Sequence, residues 1–90
     1  MNKAELAVEV ADQTGLTKKA SREAVDAAIS AITDSLARGE KVTLIGFGTF
    51  GVRQRKARTG RNPQTGAALQ IPAKRVARFI PGKTLKEKIG

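Results

Sequence analysis

The chain has 90 residues and contains no cysteine, histidine, tryptophan or tyrosine. Without cysteine there can be no disulfide, and without histidine as well there is no soft ligand set for structural zinc. Nucleophilic catalysis of the common kinds needs a base beside a serine or cysteine. Ser21, Ser30 and Ser35 all fall on one helical stretch, where solvated or capping roles suit them better. No apolar run approaches the ~20 residues that span a bilayer. The start, Met1 to Glu5, turns acidic at once and does not read as a signal peptide. No Walker-type phosphate loop is present, and Gly46-Phe47-Gly48 is too short for a dinucleotide fingerprint and leads into no helix. These absences predict an intracellular protein that is not an enzyme and carries no cofactor or metal.

Acid is also missing from the second half. Beyond residue 52 there are eleven lysines and arginines, and Glu87 is the one acid. Residues 1–52 are nearly neutral, with six cations against seven acids. A near-neutral scaffold followed by a strongly cationic half is the electrostatic pattern of a polyanion binder. The core is thin, with three phenylalanines as its only aromatics. Small chains bury a modest fraction of their surface. With disulfides and zinc excluded, oligomerisation is the reinforcement left.

The pattern of residues predicts an α+β chain. Asn2 can cap a helix over residues 3–14, with Glu5 completing a capping-box spacing and Gly15 as terminator. Thr17 caps a second helix that runs to about Arg38 and stops at Gly39. On it Val25, Ala28, Ile29, Ile32 and Leu36 form one long apolar stripe. Lys41 to Ile45 is a strand containing Leu44, and Gly46-Phe47-Gly48 is a turn. Thr49 to Arg58 is a second strand, with Phe50 and Val52 on one face and Arg53 and Arg55 on the other. Ala67 to Ile71 returns and ends at Pro72. Ala73 to Ile80 is a third body strand with Ala73, Arg75, Ala77 and Phe79 on one face. After Pro81-Gly82, residues Thr84 to Ile89 form a final helical turn or two.

The segment Arg58-Thr59-Gly60-Arg61-Asn62-Pro63-Gln64-Thr65-Gly66 reads as a hairpin tip, because Asn-Pro and two glycines punctuate it. Arg53, Arg55, Lys56, Arg58 and Arg61 lead into it with no acid among them. Such a run could be a solvated edge strand guarded by charge, and Pro63 could be an ordinary turn proline. The one-sided charge favours polyanion binding instead. Arginines neutralise phosphates and enter the minor groove, and an apolar ring at the tip can act as a wedge between base pairs. Phe47, Phe50 and Phe79 alternate with small residues, which suits a core or interface better than base stacking.

Three stretches resemble one family. Gly60 to Gly66 is similar to the arm-tip signature of the bacterial histone-like HU proteins, relatives of integration host factor. Gly46-Phe47-Gly48-Thr49-Phe50 resembles the same family's turn, and Phe79, Gly82-Lys83 and Leu85-Lys86 its C-terminal pattern. That family is itself a reference case for minor-groove binding by architectural proteins. The resemblance implies an intertwined homodimer with one domain per chain. Residues 1–39 would form a helical base, 40–58 and 73–81 an antiparallel β saddle, 59–72 a protruding DNA-binding arm and 82–90 a C-terminal helix. It implies a nucleoid-associated cytoplasmic protein that binds double-stranded DNA with little sequence specificity. It would prefer bent, nicked or junction DNA and compact DNA by bending.

The expected DNA-binding residues are Lys3, Arg53, Arg55, Arg58, Arg61, Asn62, Pro63, Gln64, Lys74, Arg75, Arg78, Lys83 and Lys86. Among them Pro63 takes the position of the family's intercalating wedge, and Lys3, Lys83 and Lys86 match body positions that grip flanking DNA. The expected dimer core is Ile29, Ile32, Leu36, Leu44, Phe47, Phe50 and Phe79. One departure stands out: the return strand, Ala67-Ala68-Leu69-Gln70-Ile71, is uncharged where many family members carry lysines. The competing reading is a basic RNA-binding or ribosome-associated module. The geometry of A-form RNA suits shape readers of another kind, and RNA binding is secondary here.

Overall fold

A computed structural model describes residues 1–90. Helix α1 spans Lys3–Thr14. Its cap is Asn2, whose Oδ1 accepts the Glu5 N–H at 2.9 Å, leaving one fewer orphan donor in the first turn. The reciprocal half of the expected capping box does not form: the Glu5 carboxylate makes no hydrogen bond to Asn2. Gly15 closes the helix at φ 75° with its N–H on Ala11 O.

Helix α2 spans Lys18–Ala37, capped by Thr17 Oγ1, which accepts the Ala20 N–H. Its end is a Schellman turn: Gly39, at φ 79°, donates to Leu36 O, and Glu40 donates to Ser35 O. Ala7, Ala11, Ser21 and Val25 are buried and seal α1 against α2. These small residues let the two helices approach closely.

Three strands form the body sheet: β1 (Val42–Leu44), β2 (Gly48–Arg55) and β5 (Lys74–Pro81), in the order β1-β2-β5 and all antiparallel. Two more, β3 (Arg58–Arg61) and β4 (Ala68–Ile71), form a separate two-stranded arm. Helix α3 (Lys83–Ile89) follows β5. It docks on the β1–β2 turn, with Gly82 N–H on Phe47 O at 2.8 Å and Leu85 N–H on Gly46 O at 3.0 Å. A Cβ on Gly82 would lie 3.0 Å from the Gly46 backbone, so any side chain there would push against the turn.

Several strand limits change: the return strand is Ala68–Ile71 and not Ala67–Ile71, the third body strand is Lys74–Pro81 and not Ala73–Ile80, and Arg58 belongs to the arm and not to the saddle. The strand expected from Lys41 to Ile45 is cut back to Val42–Leu44, because the turn already begins at Ile45. The continuous strand from Thr49 to Arg58 is interrupted at Lys56-Ala57. The pairing register is the same on both sides: Arg55 faces Lys74 in the body and Arg58 faces Ile71 in the arm. Ala57 therefore stands opposite Pro72. The Gly82 bond to Phe47 and the Asn62 bond to Ala67 lie on this register in opposite phases. In the body's phase residue 72 would have to donate an N–H to Ala57, and proline has none. The ladder stops there and restarts in the other phase.

Phe50 faces Phe79 across β2 and β5, and Val52 faces Ala77. This face turns toward the helices. The rings of Phe47, Phe50 and Phe79 cluster on it, with centroids 4.8 to 6.4 Å apart. Gly48 is buried beneath them, where a Cβ would fall 2.5 Å from the Phe79 ring. Yet the cluster stays open within a single chain. Phe47 is 48% exposed, Phe79 39%, Ile29 47% and Leu44 41%, while Phe50, Ile32 and Leu36 are half-buried.

Candidate nucleic-acid interface

The arm tip is built from short hydrogen bonds. Asn62 N–H donates to Ala67 O at 2.8 Å, and Gly66 N–H donates to Asn62 O at 2.7 Å, with Gly66 at φ 72°. The Asn62 side chain accepts the Gln64 N–H at 2.9 Å, an Asx turn wrapped around Pro63. Thr65 Oγ1 accepts the Ala67 N–H. Asn62 is half-buried by this work, so its side-chain oxygen shapes the tip, while Pro63 and Gln64 remain exposed. The tip thus presents an apolar ring on a rigid turn, at the far end of a molecule 60 Å long.

Within the arm, cross-strand partners share a face. Arg61 and Ala68 lie with Thr59 and Gln70, whereas Arg58 and Ile71 lie with Gly60 and Leu69. The two arm arginines therefore point from opposite faces of the ribbon. Ile71 covers Gly60, where a Cβ would meet its Cδ1 at 3.1 Å. The apolar return strand gives the arm its own small packing surface.

On the body, the face of the sheet turned away from the helices carries Arg53 and Arg55 of β2 with Lys74 and Arg78 of β5. A shallow concavity there is lined by Lys41, Thr49, Gly51, Arg53, Arg78 and Ile80. Gly51, directly opposite Arg78, keeps its floor low. Lys41 is the residue that sequence reasoning missed. Its parity with Thr43, which pairs with Thr49, would have placed it on this face once the register was known. Lys56 sits at the junction between body and arm.

The remaining expected residues are dispersed. Lys83 and Lys86 are exposed on α3. Lys3 lies at the start of α1 and pairs with Asp26 of α2 at 2.8 Å, so its charge is shared with a partner. Arg75 leaves the sheet on the helix-facing side, with Phe79 and Ala77, and not on the face of Arg53 and Arg78. It donates to carbonyl oxygens at the end of α2.

The electrostatics are one-sided. The two ion pairs of the chain are Lys3–Asp26 and Arg38–Glu40, both before residue 41. None of the cations of the arm, the outer sheet face or α3 has an acidic partner, and all are exposed. Unpaired cations at this density repel one another and are stabilised by a polyanion.

Comparison with known proteins agrees with this geometry. The family model described as bacterial DNA-binding protein matches residues 1–90. The DNA-binding protein HU of Geobacillus stearothermophilus is 55% identical over 89 residues, covering 99% of each chain. That of Staphylococcus aureus is 56% identical over the same length and coverage. Among solved structures, HU of Anabaena crystallised with DNA superposes with a TM-score of 0.89 at 47% identity, covering 100% of this chain and 98% of that one. HU of Thermotoga maritima superposes at 0.72 with 37% identity over the whole of both chains. With its arm, its open sheet and its full length matched in this way, the chain belongs to the bacterial DNA-binding protein family, in the HU group.

Proposed function

We propose that this protein is a homodimeric, histone-like architectural protein of the bacterial nucleoid, in the cytoplasm. It binds double-stranded DNA through the minor groove with little sequence specificity, and it bends and compacts the duplex. The observation that carries this reading is a projecting hairpin with exposed Pro63 at its tip. Its cations are unpaired and continue onto the outer face of the sheet. Arg53, Arg55, Arg58, Arg61, Lys74 and Arg78 supply phosphate neutralisation, joined by Lys41 and by Lys83 and Lys86 at the flank. Releasing the condensed counterions drives this sequence-independent affinity. Pro63 supplies the wedge: unstacking one base step costs a few kcal/mol, offset by the extra surface that a bent duplex contacts. DNA that is already nicked, bent or branched deforms more cheaply and binds more tightly.

Two arms are required to bend DNA symmetrically, and the open phenylalanine cluster supports a second chain. Gel shifts of linear, nicked and four-way-junction DNA of one sequence test the proposal. Tighter binding to nicked and junction DNA, lost on raising salt, is the expected result. Equal affinity for all three would contradict bending, and preferential binding of an A-form RNA duplex would favour an RNA-binding module instead.

A further inference from the structure

Of all the cationic side chains beyond residue 52, Arg75 alone makes a hydrogen bond to the rest of the chain. Its Nη2 donates to Leu36 O and to Ala37 O, each at 3.2 Å, across 39 and 38 residues of sequence. These are the last carbonyls of α2. Gly39 N–H also reaches Leu36 O, but no backbone donor reaches Ala37 O. A guanidinium there satisfies an orphan acceptor and meets the negative end of the helix dipole.

The place of Arg75 in the sheet gives this contact a further meaning. It is the second residue of β5 and faces Gln54. Pro72 lies three residues before it, where the ladder between body and arm is broken. The body strand that the arm's return path enters is therefore tied to the helical base directly beside the junction. The other side of the junction, Lys56-Ala57, has no comparable tie.

We propose that Arg75 is a positioning residue. It holds the root of the arm's return strand against the C-terminus of α2, sets the angle at which the arm leaves the body, and neutralises no phosphate. The role rests on the DNA-bending reading above. It separates one arginine from a cationic run in which all members look alike.

The test uses the full chain and its Arg75→Ala, Arg75→Lys and Arg75→Gln variants, each titrated with a linear and a nicked duplex across a salt series. Arg75→Ala should keep the parent's salt slope, whereas losing a phosphate contact would make it shallower by about 0.9 for each subunit that loses one. Its preference for nicked over linear DNA should fall several-fold, because the arm no longer leaves the body at a fixed angle. Arg75→Lys keeps the charge but is one bond shorter. It should also keep the slope and lose preference, where a phosphate ligand would be largely rescued by lysine. Should Arg75→Ala fail to fold, the Lys and Gln variants carry the same comparison. A shallower slope with preference intact would make Arg75 a phosphate ligand. A lower melting temperature with slope and preference both unchanged would make it a structural brace. Either result overturns the positioning role. A parent protein that bound neither duplex would overturn the DNA reading itself, and this role with it.

Discussion

Ser21 is wholly buried between α1 and α2, and its hydroxyl has no hydrogen-bond partner. An unsatisfied buried hydroxyl costs about 1–3 kcal/mol, and alanine is the better helix former. Ser21→Ala should therefore leave stability unchanged or raise it by about 1 kcal/mol, measured by chemical denaturation at fixed protein concentration. A loss of that size would mean the hydroxyl has a partner. The arm arginines behave differently, because solvent surrounds them. Arg58→Ala or Arg61→Ala should weaken binding alike across sequences and make the slope of log affinity against log salt shallower by about one for each arm that loses the contact. A changed sequence preference at constant slope would identify a base reader. Both arginines were legible from sequence as charge. Which face each occupies was not, since the opposite orientations of Arg58 and Arg61 follow from pairing with Ile71 and Ala68. The same holds for Arg75. Counting charge grouped it with the DNA-binding cations, whereas its alternation with Ala77 and Phe79 already set it on the inner face of the sheet.

The helices were the most readable elements because their signals are local. Asn2, Gly15, Thr17 and Gly39 each act within a turn of their own position: the first three cap as expected, and Gly39 stops α2 one residue past its cap, Arg38. Asn2→Ala should cost about 1 kcal/mol of stability and leave the salt dependence of DNA binding untouched, read from paired melting and binding curves. A cost near zero would mean that water replaces the cap. Strand limits were less legible. The break at Lys56-Ala57 is caused by Pro72, far along the chain, and becomes visible only when the register brings the two together. The sequence around Lys56 contains no breaker of its own. Its consequence is local: no ladder pairing spans Lys56-Ala57, so the body and arm ribbons are paired separately. Under the proposed function, the angle at which the arm meets DNA is set partly by the contacts on either side of that joint.

A single chain leaves much of its apolar surface open. Only five of its 90 residues are buried. Its radius of gyration is 18.9 Å, where a compact chain of this length has about 12 Å. Its accessible surface is 7401 Å², against about 5,000 Å² for a compact 9.5 kDa chain. The projecting arm and the half-open cluster of Phe47, Phe50 and Phe79 with Ile29 and Leu44 both contribute to the excess. A second copy covering that cluster would make folding inseparable from association. The melting temperature should therefore rise with protein concentration. Phe47→Ala should cost about 3–5 kcal/mol and produce unfolding and dissociation together in sedimentation and circular dichroism. A folded monomer at micromolar concentration would refute the dimer. The argument for a partner could be made from the sequence, which has no cysteine or histidine and only three phenylalanines as aromatics. The residues expected at that interface, from Ile29 on α2 to Phe79 on β5, are the ones that stay exposed or half-buried in one chain.

Bending of DNA by a proline-tipped arm is the claim on which these scales converge. Energy transfer between dyes at the two ends of a short duplex reports it directly. The parent protein should raise the transfer efficiency at saturation. Pro63→Ala, with its charges and its Asn62 turn retained, should still bind with nearly the parent's salt slope but raise the efficiency much less. Equal end-to-end distances for the parent complex and the free duplex, or for the parent and Pro63→Ala complexes, would contradict the account.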